Sequence, residues 1–240
     1  MSFTGVLVNT LTVIVGSLVG LLCKKGLPKR LTDAVMMGIG LVTVYIGISG
    51  ALKGENTLIV IAAMVLGAIV GTLLDIDKGI NWLGDWVSSR FHRTDDKASV
   101  GEGFVTASLL FCIGSMTIVG SLNAGLTGDN EMLFTKSMLD LVSSCMLAAS
   151  LGVGVLCSAV FVLVFQGALV LLAGCLQSVL TTPAINEMIC VGSLLILALG
   201  LNLLGVTKLK VANYLPAVVF APLLVWLFSL PFMQNLLPLF

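Results

Sequence analysis

FVTASLLFCIGSMTIVGSLNAGLTGDNEMLFTKSMLD, residues 104–140, decides how the rest of this chain reads. It opens as an apolar segment long enough to enter a bilayer, then loosens at Gly114, Gly120, Gly125 and Gly128. It ends on Lys136 and Asp140, one helical turn apart. Glycine-interrupted apolar helices are where membrane transporters unwind backbone to hold a solute or ion near mid-bilayer. No other part of the chain sets so many polar groups beside so much apolar sequence.

The composition around this stretch belongs to lipid. Hydrophobic residues make up 58% of the chain and charged residues 10%, with a mean hydropathy of +1.13. Soluble domains carry about 25% charge, so the sequence reads as an integral membrane protein. Its 240 residues leave room for about seven or eight spans of about 20 residues each, joined by short connections. The formal net charge is zero, with one histidine and no basic tract, which excludes nucleic acid as an expected partner. Six cysteines are scattered singly through apolar segments. They suggest neither a zinc site nor a disulfide framework and read as small packing residues. No cofactor is expected. The N-terminus lacks the basic region and small-residue cleavage site of a signal peptide, so its first apolar run is expected to be a retained span.

Working outward, spans are expected at residues 6–23, 34–52 and 58–74, with GxxxG spacings at Gly16/Gly20 and Gly67/Gly71. Such spacings let helices approach closely. From residue 75 to 102 the character changes. Ile76, Ile80, Leu83 and Val87 recur at helical spacing beside Trp82 and Trp86, as in a helix lying in the membrane interface. A solvated linker holding His92 follows. Span 4 is expected at 104–122 and is followed by a polar, glycine-rich loop. Span 5 is expected at 138–165, with a break at Gln166–Gly167. Span 6 (168–180) is then short and either tilted, half-length or re-entrant, and spans 7 and 8 cover 188–206 and 215–230. If residues 24–30, 75–102 and 207–211 are cytoplasmic, they hold ten of the twelve Lys and Arg. This bias supports eight spans with both termini outside.

The two ends of the chain share a pattern. GSLVGLL, Pro28, GIGLVTVYIGISGAL, Lys53 and Asn56 recur in order as QGALVLLAG, Pro183, GSLLILALGLNLLG, Lys210 and Asn213. Spans 1–3 would then correspond to spans 6–8 in the opposite orientation, an inverted repeat suited to alternating access. The expected fold is therefore an all-α integral membrane protein of about eight transmembrane helices. Its parts are a three-helix repeat (1–75), an amphipathic helix and linker (76–103), a central helix pair with a polar loop (104–165) and a second three-helix repeat (166–240).

The candidate chemistry sits in the middle. An ionisable residue at membrane depth is costly and usually functional, so Asp140 is read as a cation or proton binder. Lys136 is read as its partner or as the holder of an anionic solute. The bland alternative makes both of them outer-interface anchors. Asn123, Ser115 and Thr117 line the glycine-rich stretch, and Asn9 and Asn202 are polar contributors from the two repeats. Gln166 is placed at a helix break and Glu187 at the outer surface. No HExxH, GxSxG or paired intramembrane carboxylates appear, and the one histidine lies in the linker, so no enzyme and no metal site are expected.

Several runs carry a resemblance: FVTASLLFCIGSMTIVGSLNAGLTGD, LFTKSMLD, GVGVLCSA, QGALVLLAG, GLNLLGVTKLKVANYLPA and NTLTVIVGSLVGLL. Together they resemble the YqgA/YdfK-type bacterial inner-membrane proteins over nearly the whole chain. The resemblance implies a multi-span protein of the bacterial cytoplasmic membrane and carries over no substrate or catalytic residue. The functional expectation is a small secondary transporter or permease moving an unidentified small solute or ion by alternating access, with an ion channel or a non-transporting membrane scaffold or sensor as alternatives. The lipid bilayer is its expected partner, and its small-residue faces allow a homodimer.

Overall fold

A computed structural model describes residues 2–24, 29–80, 82 and 97–229. Among these residues every regular element is helical: α1 (Thr4–Lys24), α2 (Lys29–Ala51), α3 (Thr57–Leu73), α4 (Lys97–Cys112), α5 (Ser115–Leu126), α6 (Glu131–Leu151), α7 (Val153–Leu171), the one-turn α8 (Ala173–Leu176), α9 (Thr182–Leu203) and α10 (Pro216–Phe228). A 3-10 turn, Val211–Tyr214, leads into α10. Four single helices (α1, α6, α7, α9) and the Val211–Phe228 stretch are each long and apolar enough to cross a membrane. Shorter apolar helices cover Met36–Ala51 and Thr57–Leu73.

The expected single span at 104–122 is two helices. Val100–Cys112 and Met116–Leu126 meet at 59°, because Gly114 takes an extended conformation (φ −167°, ψ 147°). The Gly114 carbonyl then accepts from the Thr117 and Ile118 N–H groups. The pair nevertheless crosses from one end of the bundle to the other. Its start packs at the α6–α7 turn, where Gly154 abuts Val100 and Gly103 abuts Leu151. Its end meets the N-terminus, where the Ser2 N–H donates to the Ala124 carbonyl at 2.9 Å, and Gly125 lies against Val170 and Ala173. Residues 154 and 170 of α7 are about 24 Å apart at 1.5 Å per residue, so the bent pair runs the length of α7 and is a candidate sixth span.

The expected break at Gln166–Gly167 is corrected. The uncharged stretch turns at Gly152, at φ 79° and ψ −151°, a region of backbone space essentially restricted to glycine. Gln166 and Gly167 are buried within α7, so residue 165/166 is no element boundary. The short span expected at 168–180 is instead the end of α7 followed by the single turn of α8. Of the expected interfacial helix, residues 76–80 are helical. Leu83, Trp86, Val87 and His92 lie outside the described residues.

Packing directions follow from glycine contacts. Gly5, Gly16 and Gly20 of α1 lie against residues 130–133, 141–144 and 145–149 in turn, so α1 and α6 run parallel. A Cβ on Gly16 would collide with Ser144 Oγ and the Leu141 carbonyl, so the GxxxG spacing does permit a close approach. Residues 100 and 104 of α4 meet 154 and 161 of α7, again in parallel. Gly40, Gly47 and Gly54 lie against Leu204, Leu197 and Cys190, so the α2 segment is antiparallel to α9. Gly67 and Gly71 against Ala217 and Asn213 set α3 antiparallel to α10. The connections are pinned by side chains. Asn56 caps α3, and Asn202 Oδ1 accepts from Leu209 N–H and Thr207 Oγ1. Asn213 Oδ1 accepts from Asp77 N–H at 2.8 Å.

α9 is the most enclosed of the spans, and two buried clusters surround it and α7. The outer surface is apolar in stripes. On α1, Leu7, Leu11, Val15, Leu18 and Leu22 are all exposed, and on α3 Ile61, Val65, Ile69 and Leu73 are. Apolar rows at helical spacing on the outside of a bundle suit lipid rather than water.

Candidate functional site

Lys136 and Asp140 fall on one face of α6 because residues four apart stack along a helix. They sit five and nine residues below its start at Glu131, about 7.5–13.5 Å along the axis. They are not surface anchors: Lys136 is 8% exposed and Asp140 3%. The Lys136 ammonium donates to Asp140 Oδ1 and stands 5.7 Å from the centroid of the Phe111 ring. Fully buried Asn9 of α1 faces Asp140, yet neither Asn9 amide atom nor Asp140 Oδ2 has a well-formed hydrogen bond. Buried polar atoms are ordinarily satisfied. These three atoms face one another across the α1–α6 contact, so Asn9 is the nearest polar neighbour of the Asp140 carboxylate.

Lys136, Asp140 and Phe111, but not Asn9, border a cavity of about 390 Å³ that also touches Tyr45 and Ser49 of α2, Gly114 and Met116 at the α4–α5 break, and Ser193 of α9. Exposed Lys53 stands at its rim. A second cavity, of about 460 Å³, lies toward the other end of the bundle. It is lined by Asp77, Glu102, Leu199, Asn202 and Lys208 among others.

The other expected residues are distributed as follows. Ser115 opens α5 at the break. Thr117 is fully buried and its hydroxyl donates to the Phe111 carbonyl at 2.8 Å, occupying a group freed where α4 ends. Asn123 lies near the far end of α5, where its carbonyl accepts from Thr127 and Gly128. Asn202 lines the second cavity and holds the 203–209 turn. The structure thus brings Lys136, Asp140 and Asn9 together beside the start of α5, and leaves Asn123 and Asn202 elsewhere.

Glu187 corrects another expectation. It is 2% exposed, and its Oε1 accepts from the N–H groups of Glu55 (2.7 Å) and Asn56 (2.6 Å), so it fixes the α2–α3 connection. Sequence reasoning missed Phe111, Tyr45 and Ser193. Each sits in an apolar helix where nothing local separates a cavity residue from a lipid-facing one. Among the described residues no cluster of His, Cys, Asp and Glu could hold a metal ion.

Residues 4–226 match the family described as protein of unknown function DUF554. The chain belongs to that family. It is 33% identical over 226 residues to an uncharacterized membrane protein YdfK of Bacillus subtilis (strain 168), covering 92% of this chain and 95% of the relative. It is 31% identical over 220 residues to the uncharacterized protein YqgA of Escherichia coli (strain K12), covering 90% and 94%. No solved structure matches. Family membership and the lipid-suited surface make this a membrane protein of a family without an assigned function.

Proposed function

We propose that this protein is a small secondary transporter that moves a small solute by alternating access, on eight crossings built as an inverted repeat. The observation that carries the reading is the pair of cavities. Along α4 the second cavity reaches Val105 and the first begins at Leu110. Along α9 they reach Leu199 and Ser193. The partition is thus five to six residues thick, about 7.5–9 Å, in a hydrocarbon layer of about 30 Å. A thin septum between two cavities that each hold charged side chains needs only a local rearrangement to pass a solute.

Chain direction supports the eight crossings. α2 and α3 lie antiparallel along α9 and α10, which are themselves of spanning length when α10 is taken with the turn before it. The packing also supports inversion. α2 against α9 and α3 against α10 are pairs of corresponding helices. The parallel contact of α1 with α6 has its counterpart in that of α7 with α4, with α7 taking the place expected of span 6. The positive-inside bias supports a bacterial cytoplasmic membrane with both termini outside.

The test is reconstitution into proteoliposomes with a panel of labelled small metabolites. The reading expects saturable uptake that Asp140→Asn reduces at least tenfold. Flux that rises linearly with solute, or none for any member of the panel, would contradict it.

A further inference from the structure

Gln166 has no exposed surface, and neither its Oε1 nor its Nε2 finds a hydrogen-bond partner among the described residues. Ser121 of α5 is equally enclosed, and its Oγ is unpartnered too. Asn9 of α1, also fully buried, turns its amide toward Asp140. That engages one of its two polar atoms and leaves the other open.

The packing sets these three side chains on one level of the bundle. Toward the N-terminal end, Val6, Ala124 and Val170 pack together with Leu133. α1 starts at that end, whereas α5 and α7 run toward it. Asn9, Ser121 and Gln166 therefore each lie one helical turn further in than those apolar residues, and on the same helix faces. One more turn inward, Val13 of α1 and Val162 of α7 belong to the next apolar cluster. On α5, Gly120 abuts Leu133 of α6, and Gly125 abuts Val170 and Ala173 of α7. Ser121 falls between these two directions and so faces the junction of α1, α6 and α7. The result is a polar layer between two apolar ones. Packing is open beside it: a Cβ on buried Gly167 would meet Phe3 at an ordinary 3.6 Å, whereas one on Gly5 or Gly16 would collide.

Buried polar atoms are ordinarily satisfied, by protein or by ordered water. The charges nearby decide the kind of partner. Asp140 is already neutralised by Lys136, and Lys53, at the cavity rim, adds positive charge. A cation in the layer would therefore lack a counter-charge. An anion would approach the Asp140 carboxylate, with Lys53 exposed outside the layer. Either ion would be buried uncompensated, at high cost. The open atoms are instead a mixture of donors and acceptors, which a small neutral molecule of both kinds satisfies. We infer that this layer binds enclosed water, bridging Gln166, Ser121 and the open side of the Asn9 amide. Asn9 joins it to the Asp140 carboxylate, so the buried ion pair lies between the cavity on one side and a water layer on the other. This binding stands independently of the transport reading.

The test is solid-state NMR of the full chain in lipid bilayers, isotope-labelled in its glutamine side-chain amides. The chain carries three glutamines, at positions 166, 177 and 234. A variant with Gln177→Asn and Gln234→Asn leaves the Gln166 signal alone and so identifies it. Gln166 should receive magnetisation from water, as exposed Gln177 does. Transfer to Gln177 with none to Gln166 would overturn the assignment. Ser121→Ala should leave the transfer in place. Its loss would trace the signal to the exchanging hydroxyl proton and contradict a bound water. The thermal midpoint should be the same in sodium as in choline. A midpoint that sodium raises in the wild type, but not in Gln166→Met, would put a cation in the layer and equally overturn the inference.

Discussion

Lys136 and Asp140 stabilise the bundle only as a pair. Both are nearly enclosed, and removing one partner of a buried ion pair typically costs about 3–5 kcal/mol, because the survivor's charge is left uncompensated. Lys136→Met should therefore lower the unfolding midpoint in detergent markedly, and Lys136→Met/Asp140→Leu should recover most of the loss. A single variant as stable as the wild type would mean that the pair is hydrated. The i, i+4 spacing made this pair legible in the sequence. Its depth was not, since spacing is the same in an interfacial anchor and in a buried site. Glu187 shows the converse. A charged residue just past Pro183 reads as surface, and only the fold reveals that the Glu55 and Asn56 N–H groups fold back onto it.

At the scale of elements, two glycines set the architecture in different ways. Gly152 turns α6 into α7 at φ 79° and ψ −151°. Gly152→Ala would hold an L-residue in that region at a cost of about 1–3 kcal/mol, measurable as a lower thermal midpoint. An unchanged midpoint would show that the turn can adopt another geometry. Gly16 governs distance rather than dihedral. Gly16→Leu would force α1 away from the α6 backbone at Leu141, and overpacking of this kind costs about 1–3 kcal/mol or more. If stability and folded yield were instead retained, the α1–α6 contact would not be close. The GxxxG spacing was readable in advance because small residues four apart have one main use in lipid. The breaks were not. The chain carries 26 glycines, and nothing local distinguishes Gly114 and Gly152 from those inside helices, so the break was expected at Gln166–Gly167, where a polar residue sits beside a glycine. α7 instead keeps Gln166 wholly inside the bundle.

Across the whole molecule, an all-helical membrane fold was legible from composition alone, because only a lipid solvent tolerates so much apolar surface. Where the cavities lie was not legible. Their walls are shared among α2, α4, α5, α6 and α9, brought together by contacts far apart in sequence. Alternating access requires those two cavities to open to opposite sides of the membrane. The most direct test is side-specific labelling in a cysteine-free background, with Ser49→Cys at the first cavity and Lys208→Cys at the second. A membrane-impermeant maleimide is applied to right-side-out and to inverted vesicles. Ser49→Cys should react from the outside only and Lys208→Cys from the inside only. Reaction of both from the same side would contradict it.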